Sequence, residues 1–364
     1  EVLDLAHGTQ FTGSSDIVGG SDLSVVEGSH VVVITAGAKQ KPGQTRIELA
    51  GVNAGIMKSM MPQLLEAAPN AIYVIVTNPC DVLTVLAQET TGLPPERIFA
   101  SGTVLDTSRL RWLLGQRAGV SAQSVHALIV GEHGDTEFPL WSSASIGTVP
   151  ILEFEPATGG RMTVDELDRV AVDVRDAAYK VIQGKGATNY AIGLTSARIA
   201  EAILDDEHAV MPVSPVLHGY HGIDGVALSV PCIVSSAGAV PIAGTPYSAS
   251  ELGLLRRSAD ALRQVADQAG HLFARRIAHV EVMIARTGDE AGPGLQQFDV
   301  LAHDDRLRAQ VDQRAEVEEI TGDDGDVEPA GNLGHPVELR QRIVQVRNDQ
   351  ASHPTPHCRA TRRP

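Results

Sequence analysis

Four polar segments of this chain carry the residue types that acid–base chemistry needs. The segments are TAGAKQKPGQTR, TNPCD, SGTVLDTSRLR and VGEHGDTEFP. His133 offers an acid–base group, Asp106 a carboxylate that could orient it, and Arg46 and Arg109 two guanidiniums. Taken alone, a histidine is more often structural than catalytic, and a helical arginine is often a surface charge. What favours a site is that all four segments follow predicted strands.

The hydrophobic pattern predicts that strands and helices alternate. Two continuous apolar runs, VVVITAG and AIYVIVTN, are typical of strands buried on both faces of a parallel sheet. ERIFASG and SVHALIVGEHGD are predicted as the next strands, and the second of these ends at Gly131 and Gly134. Helical patterns lie between the strands, one of them capped by Asp81. Because open α/β sheets bind ligands at the carboxyl ends of their strands, the four segments are expected at one sheet.

The composition argues against several functional classes. The 364 residues include 29 Lys+Arg and 45 Asp+Glu, and the net charge of −16 disfavours binding to nucleic acid. No apolar stretch approaches the roughly 18 residues of a membrane span, and no signal-peptide pattern opens the chain. Cys80, Cys232 and Cys358 are few and far apart, which is typical of a reducing compartment. We expect a cytoplasmic protein that binds neither nucleic acid nor membrane.

The four segments, together with DLAHGTQF, KGATNYAIG and the PCIVSSAG region, resemble the L-lactate dehydrogenase branch of the lactate/malate dehydrogenase family. The resemblance covers about residues 1–270, and LDTSR followed by GEHGD is its most specific part. It implies a doubly wound, Rossmann-like parallel sheet, with an α+β substrate domain. The expected domains are a partial dinucleotide-binding domain at 1–99, a substrate and catalytic domain at 100–270, and an atypical tail at 271–364.

The resemblance implies reversible, NAD-dependent oxidation of (S)-lactate to pyruvate in fermentation or glycolysis. It gives His133 the role of proton acceptor for the lactate hydroxyl and Asp106 that of holding the imidazole. Arg109 resembles the clamp for the substrate carboxylate, and Arg46 the loop arginine that polarises the reacting carbonyl.

Substrate choice is expected to depend on Gln40. A neutral amide suits the methyl group of pyruvate, whereas malate dehydrogenases have an arginine at this position for a second carboxylate. Thr188 resembles a second wall of the pocket, and Asn78 a residue that contacts both substrate and nicotinamide. The alternative enzyme is a malate dehydrogenase, and Gln40 distinguishes the two.

The cofactor expected from the resemblance is NAD, and no metal is expected. The predicted cofactor contacts are Gly37, Ala38, Ser59, Val76, Thr77 and Asn78. Ser59 and Val76 have packing as an equal alternative. The segment from Gly37 to Thr45 has the composition of a closing lid, the alternative being a passive surface loop.

Arg111 and His126 match the positions where bacterial members of the family bind fructose 1,6-bisphosphate between subunits. They imply an allosteric homotetramer. The alternative is an exposed arginine and a histidine at the end of a strand.

The largest departure from the family concerns its opening strand, GxGxxG turn and helix. No GxGxxG occurs in this sequence, and its first residues read as the end of a helix. We therefore expect an N-terminally truncated chain whose sheet lacks its first strands, so that as it stands it binds NAD weakly or not at all and is inactive. A non-catalytic remnant is the alternative from another class. The tail at 271–364 is expected to be disordered or a misread continuation of the gene.

Overall fold

The computed structural model describes residues 2–11, 15–38, 46–157, 159–266 and 343–347, with the backbone alone at 46–47 and 343–347. The helices are α1 (Val2–Gly8), α2 (Arg46–Ala67), α3 (Cys80–Thr91), α4 (Val104–Ala118), α5 (Val164–Lys185), α6 (Tyr190–Leu204) and α7 (249–266). The strands are β1 (Asp16–Gly20), β2 (Val31–Ile34), β3 (Ile72–Ile75), β4 (Ile98–Ala100), β5 (Val125–His126), β6 (Ile129–Val130), β7 (Phe138–Pro139), β8 (Ser145–Ile146), β9 (Val149–Pro150), β10 (Ala209–Pro215), β11 (Val230–Ser235), β12 (Gly238–Pro241) and β13 (Ile343–Arg347).

The largest sheet has six strands in the order β12-β11-β10-β4-β3-β2. β2, β3 and β4 are parallel, with Val31 opposite Ile72. β10, β11 and β12 continue the same sheet in antiparallel fashion, and β10 joins it with Ser214 opposite Ala100. Every residue of β3 and β4 is buried, which explains their continuous apolar sequences. The parallel part confirms the predicted α/β fold class.

Helices cover both faces of this sheet. One core cluster joins β2, β3 and β4 to α2 and α3 and includes Met57, Met61 and Tyr73. The Tyr73 hydroxyl donates to the carbonyls of Leu64 and Ala68, each at 2.9 Å, and so binds β3 to the end of α2. A second cluster packs α6 and α7 against the sheet, and a third packs α4 against α5. Burying one large apolar side chain contributes about 1.5–3 kcal/mol to the free energy of folding, so these clusters hold the helices firmly against the sheet.

The segment SVHALIVGEHGD was predicted as one strand, and that prediction is wrong. It forms β5, which pairs with β8, and β6, which pairs with β7. One side chain of α4 and the residue that precedes this helix explain the break. Thr107 Oγ1 accepts the backbone N–H of Ile129 at 2.9 Å, and Thr103 Oγ1 donates to the Ile129 carbonyl at 2.6 Å. The two threonine hydroxyls thus occupy the N–H and the carbonyl of Ile129, which a continuous ladder of strand hydrogen bonds would use.

As a consequence, only three of the four polar segments follow strands of the six-stranded sheet. The fourth follows β6, which belongs to a separate two-stranded sheet. An antiparallel bridge between Gly131 and Ser229 still joins this segment to the residue just before β11. The expectation that one sheet carries all four segments is therefore corrected, although the fourth segment remains beside that sheet.

The first helix confirms the helical pattern at the start of the sequence, and its apolar side chains are largely exposed. Leu3 is 73% and Leu5 51% exposed. β1 pairs with β13 in antiparallel register. The remainder of the predicted tail at 271–364 lies outside the described residues. Within the described part of the chain, no helix is long and apolar enough to cross a lipid bilayer.

Candidate active site

The end of β6 and the first turns of α4 bring a histidine, an aspartate and an arginine together. Nδ1 of His133 lies 2.7 Å from Oδ2 of Asp106, and Nη1 of Arg109 lies 2.5 Å from Oδ1 of the same carboxylate. Asp106 and Arg109 are three residues apart on α4, which places them on one face of the helix. The Asp106 side chain is 2% exposed and that of His133 26% exposed. A buried carboxylate thus lies between two cationic groups, and the imidazole remains accessible.

Charge in this cluster keeps a proton on the imidazole. Burial acts to lower the pKa of His133, but the Asp106 carboxylate, its hydrogen bond, and the charges of Glu137 and Asp81 raise that pKa to about 9. Burial acts to raise the pKa of Asp106, yet His133 and Arg109 hold it below its ordinary value. At neutral pH the imidazole is therefore protonated beside an ionised carboxylate, which is the state that donates a proton.

Asp81 lies behind the histidine and is not the helix cap that the sequence predicts. α3 begins at Cys80 with Pro79 at the cap position and no side-chain cap bond. Asp81 is buried instead, and its Oδ2 accepts the backbone N–H of His133 at 2.8 Å. Burial raises the pKa of Asp81 to about 6, while hydrogen bonds from Ser214 and from that N–H act to lower it. The carboxylate accepts a hydrogen bond from the backbone of a loop that is distant in sequence, so it does not cap its own helix.

A second support for the histidine loop comes from α7. Ser258 is fully buried, and its Oγ accepts the backbone N–H of Glu132 at 2.7 Å. Oγ1 of Thr136 lies 2.9 Å from the same hydroxyl and donates to Oε2 of Glu132 at 2.5 Å. The loop is thus held on both sides of His133 by side chains that sequence analysis did not single out.

The loops after β2 and β3 meet at the carboxyl end of the sheet. Asn53 on α2 accepts the backbone N–H of Ala38 at 2.7 Å and donates to the carbonyl of Asn78 at 2.8 Å. A Cβ at Gly37 would lie 2.4 Å from Cγ2 of Thr77, so only glycine fits there. The structure therefore brings four of the predicted cofactor contacts together. It adds Asn53, a buried amide within a helical pattern that the sequence does not distinguish from packing.

The other predicted contacts have different surroundings. Ser59 is exposed and donates to a carbonyl one turn earlier in its own helix, while Val76 packs against the core. Val76 thus has the surroundings of the packing alternative, whereas Ser59 is not packed, and the role of each in cofactor binding stays a prediction. Thr188 is half-buried between α5 and α6. Gln40 and the side chain of Arg46 lie outside the described residues, so their roles stay predictions.

Arg111 and His126 are placed close together by one hydrogen bond. Nε of Arg111 donates to the carbonyl of Ala127 at 2.9 Å, and the neighbouring His126 is exposed on β5. Burial lowers the pKa of Arg111, although an arginine remains charged in such surroundings. The hydrogen bond thus holds the Arg111 guanidinium beside the segment that contains His126.

Comparison with protein families accounts for most of the sequence. The model for the NAD binding domain of lactate/malate dehydrogenases matches residues 1–100, and the model for their α/β C-terminal domain matches residues 103–272. This chain belongs to the lactate/malate dehydrogenase family.

Relatives within the family are named L-lactate dehydrogenase. The enzyme of Bifidobacterium animalis subsp. lactis (strain AD011) is 48% identical over 271 residues, covering 74% of this chain and 85% of the relative. That of Thermus aquaticus is 44% identical over 269 residues, covering 73% and 86%. A lactate dehydrogenase from a Medee basin deep-sea metagenome library matches in structure with a TM-score of 0.70 at 36% identity, covering 74% and 86%. The minor L-lactate dehydrogenase of Enterococcus mundtii matches with a TM-score of 0.67 at 34% identity, covering 73% and 84%.

The described residues fit the nicotinamide end of NAD. Gly37 and Ala38 are half-buried beside Thr77, and the exposed Asn78 presents an amide that can pair with a carboxamide. Asp81 follows Asn78 by three residues and bonds to the backbone of His133, so this end of the sheet adjoins the acid–base group. Since the sequence has no GxGxxG turn, the fit of its residues concerns the nicotinamide side.

Proposed function

We propose that this chain is an NAD-dependent L-lactate dehydrogenase that interconverts (S)-lactate and pyruvate in the fermentative or glycolytic metabolism of the cytoplasm. The observation that carries the proposal is the His133–Asp106–Arg109 cluster in a member of this family. The cluster combines a proton donor with a guanidinium suited to a carboxylate, which are the two groups that a 2-oxo acid needs.

The residues of the cluster have separate tasks in this proposal. Because Nδ1 of His133 is bonded to Asp106, Nε2 is the ring nitrogen that gives its proton to the pyruvate oxygen or takes it from lactate. Arg109 binds the substrate carboxylate in a bidentate manner, and Arg46 polarises the reacting carbonyl. Asn78 contacts both substrate and nicotinamide, while Gln40 and Thr188 line the pocket around the methyl group.

The cofactor is bound by the loops after β2 and β3. When bound, NADH supplies the hydride to the carbonyl carbon of pyruvate, and NAD⁺ accepts it from lactate. Gly37, Ala38, Thr77 and Asn78 hold the nicotinamide side, and Ser59 and Val76 are assigned to the same cofactor on the resemblance alone. Asp81 and Ser258 keep the histidine loop against this site.

The first test is direct. When the family's opening strand, GxGxxG turn and helix are fused before residue 1, the purified protein given NADH and pyruvate is expected to lose NADH absorbance at 340 nm, and NAD⁺ with (S)-lactate is expected to restore it; without that addition, turnover is expected to be weak or absent. Oxaloacetate and (R)-lactate serve as the comparison substrates. Equal or higher kcat/KM for oxaloacetate would favour malate dehydrogenase. A folded chain that turns over none of these substrates would favour the non-catalytic alternative.

We also propose that the enzyme is a homotetramer activated by fructose 1,6-bisphosphate, bound by Arg111 and His126 of two subunits. Like charges that meet across a two-fold axis repel each other, and a bisphosphate would neutralise them with charge-assisted hydrogen bonds. An effector that binds the active assembly better shifts the population toward it.

For the full enzyme, Arg111→Gln combined with His126→Gln is expected to abolish activation by the bisphosphate. Pyruvate saturation curves with and without the sugar bisphosphate measure this effect. Arg169→Gln, on the exposed face of α5, is the matched control. Full activation of the double variant would place the effector elsewhere.

A further inference from the structure

A second carboxyl group lies beside the catalytic histidine, and the proposed function does not use it. One carboxylate oxygen of Glu137, one of Asp106 and a ring nitrogen of His133 all lie within 4.8 Å of one another. Oε1 of Glu137 is buried and has no hydrogen-bond partner within the described part of the chain. A buried carboxyl oxygen without a donor is costly when it is charged, so the group needs an explanation.

The charges around Glu137 come from three sides. Asp106 and Arg109 face it from α4, His133 from its own loop, and Arg175 from α5. Burial and the negative charge of Asp106 raise the pKa of Glu137 to about 8, although the three cationic groups act to lower it. Two carboxyls so close together do not both ionise readily. Asp106 has the direct ion pairs and takes the charge, so Glu137 keeps the proton at neutral pH.

Ionisation of Glu137 would act on the histidine. A second negative charge at this distance favours the protonated imidazole, in the same sense as Asp106 and Asp81. The three atoms have a spacing that would also suit a metal ion. However, Arg109 lies 2.5 Å from Asp106, and Nδ1 of His133 is already bonded. Both oxygens of Asp106 and the Nδ1 atom of His133 are therefore already bonded, which disfavours a metal ion at these three groups.

We propose that Glu137 is a positioning residue that works through His133: its carboxyl, with the unpartnered Oε1, lies within 4.8 Å of both the Asp106 carboxylate and the imidazole, and its negative charge holds the proton on that imidazole. The inference rests on the proposed function, because it concerns how far into alkaline solution pyruvate reduction continues. As the medium becomes alkaline, Glu137 releases its proton to solvent first and His133 keeps its own over a wider range.

The test compares Glu137→Gln with the wild type across pH 6–10. Glutamine has the shape of the neutral carboxyl, so kcat/KM for pyruvate at pH 6–7 is expected to stay within about twofold. Above about pH 8 the variant lacks the second charge, and its activity should fall about one pH unit earlier, which is up to about tenfold lower at the alkaline end. Glu137→Asp retains a carboxyl and should recover most of the alkaline activity. Glu155→Gln, an exposed change of the same charge, should leave the profile unchanged.

A second readout does not depend on turnover. Histidine NMR spectra of the full chain without cofactor, assigned with His133→Gln, give the titration midpoint of His133 directly. The midpoint is expected to fall by about one unit in Glu137→Gln and to stay near the wild-type value in Glu137→Asp. If pyruvate reduction were absent but this shift present, the proposed function would fail and the charge coupling would stand.

Three results would overturn the proposal. One is an unchanged His133 midpoint in a folded Glu137→Gln protein. Another is an activity loss of equal size at every pH, which indicates a structural role. The third is an unfolded glutamine variant, checked by circular dichroism, alongside a folded Glu137→Asp whose midpoint is far below that of the wild type.

Discussion

Asp106→Asn is expected to lower kcat/KM for pyruvate by about 10²–10⁴-fold, the range that a positioned acid–base group contributes. The carboxylate is 2.7 Å from Nδ1 of His133, and its charge is the largest of the effects that raise the pKa of the histidine. An amide carries no charge and can also donate a hydrogen bond to Nδ1, which would favour the wrong tautomer. The loss should grow as pH rises, because the imidazole then gives up its proton at a lower pH than in the wild type.

The measurement is the pH profile of kcat/KM for pyruvate, with folding checked by thermal unfolding. Asp168→Asn, an exposed position on α5, makes the same chemical change away from the cluster and should behave as the wild type. Wild-type activity in Asp106→Asn across pH 6–10 would contradict the assignment of the proton donor.

The sequence predicts the parts of this site that depend on local spacing. Asp106 and Arg109 are three residues apart in a helical pattern, and their side chains share one helix face in the structure. The runs VVVITAG and AIYVIVTN become the parallel strands β2 and β3, because strands buried on both faces need continuous apolar sequence. The loops that follow these strands could therefore be placed before any coordinates were known.

The parts that the sequence does not predict depend on contacts between distant residues. The sequence around Asp81 predicts a helix cap, but the backbone N–H whose hydrogen bond it accepts is 52 positions away. The break between β5 and β6 has its cause in Thr103, at the N-cap of α4, and Thr107, in its first turn, which bond to the backbone carbonyl and N–H of Ile129. Glu137 is one of several charged residues in a polar loop, and only its proximity to Asp106 and the burial of its Oε1 distinguish it.

Gln40→Arg is expected to raise the ratio of kcat/KM for oxaloacetate over that for pyruvate by at least about 10²-fold. In the proposed mechanism both substrates offer Arg109 the same carboxylate, so discrimination has to come from the opposite end of the pocket, where the resemblance places Gln40. An arginine there pairs with the second carboxylate of oxaloacetate. With pyruvate the guanidinium faces a methyl group in a site closed to water, and a desolvated charge without a partner costs several kcal/mol.

The same loop supplies a matched control for this change. Gln44→Arg makes an identical substitution four residues further on, between Gly43 and the start of α2, and should leave the ratio near its wild-type value. Steady-state rates with both 2-oxo acids, measured at one NADH concentration for the wild type and both variants, give the three ratios. A general effect of positive charge on anionic substrates would raise both variants alike. An increase confined to Gln40→Arg requires that position 40 contacts the substrate, whereas an unchanged ratio there would remove Gln40 from the pocket and leave discrimination to Thr188.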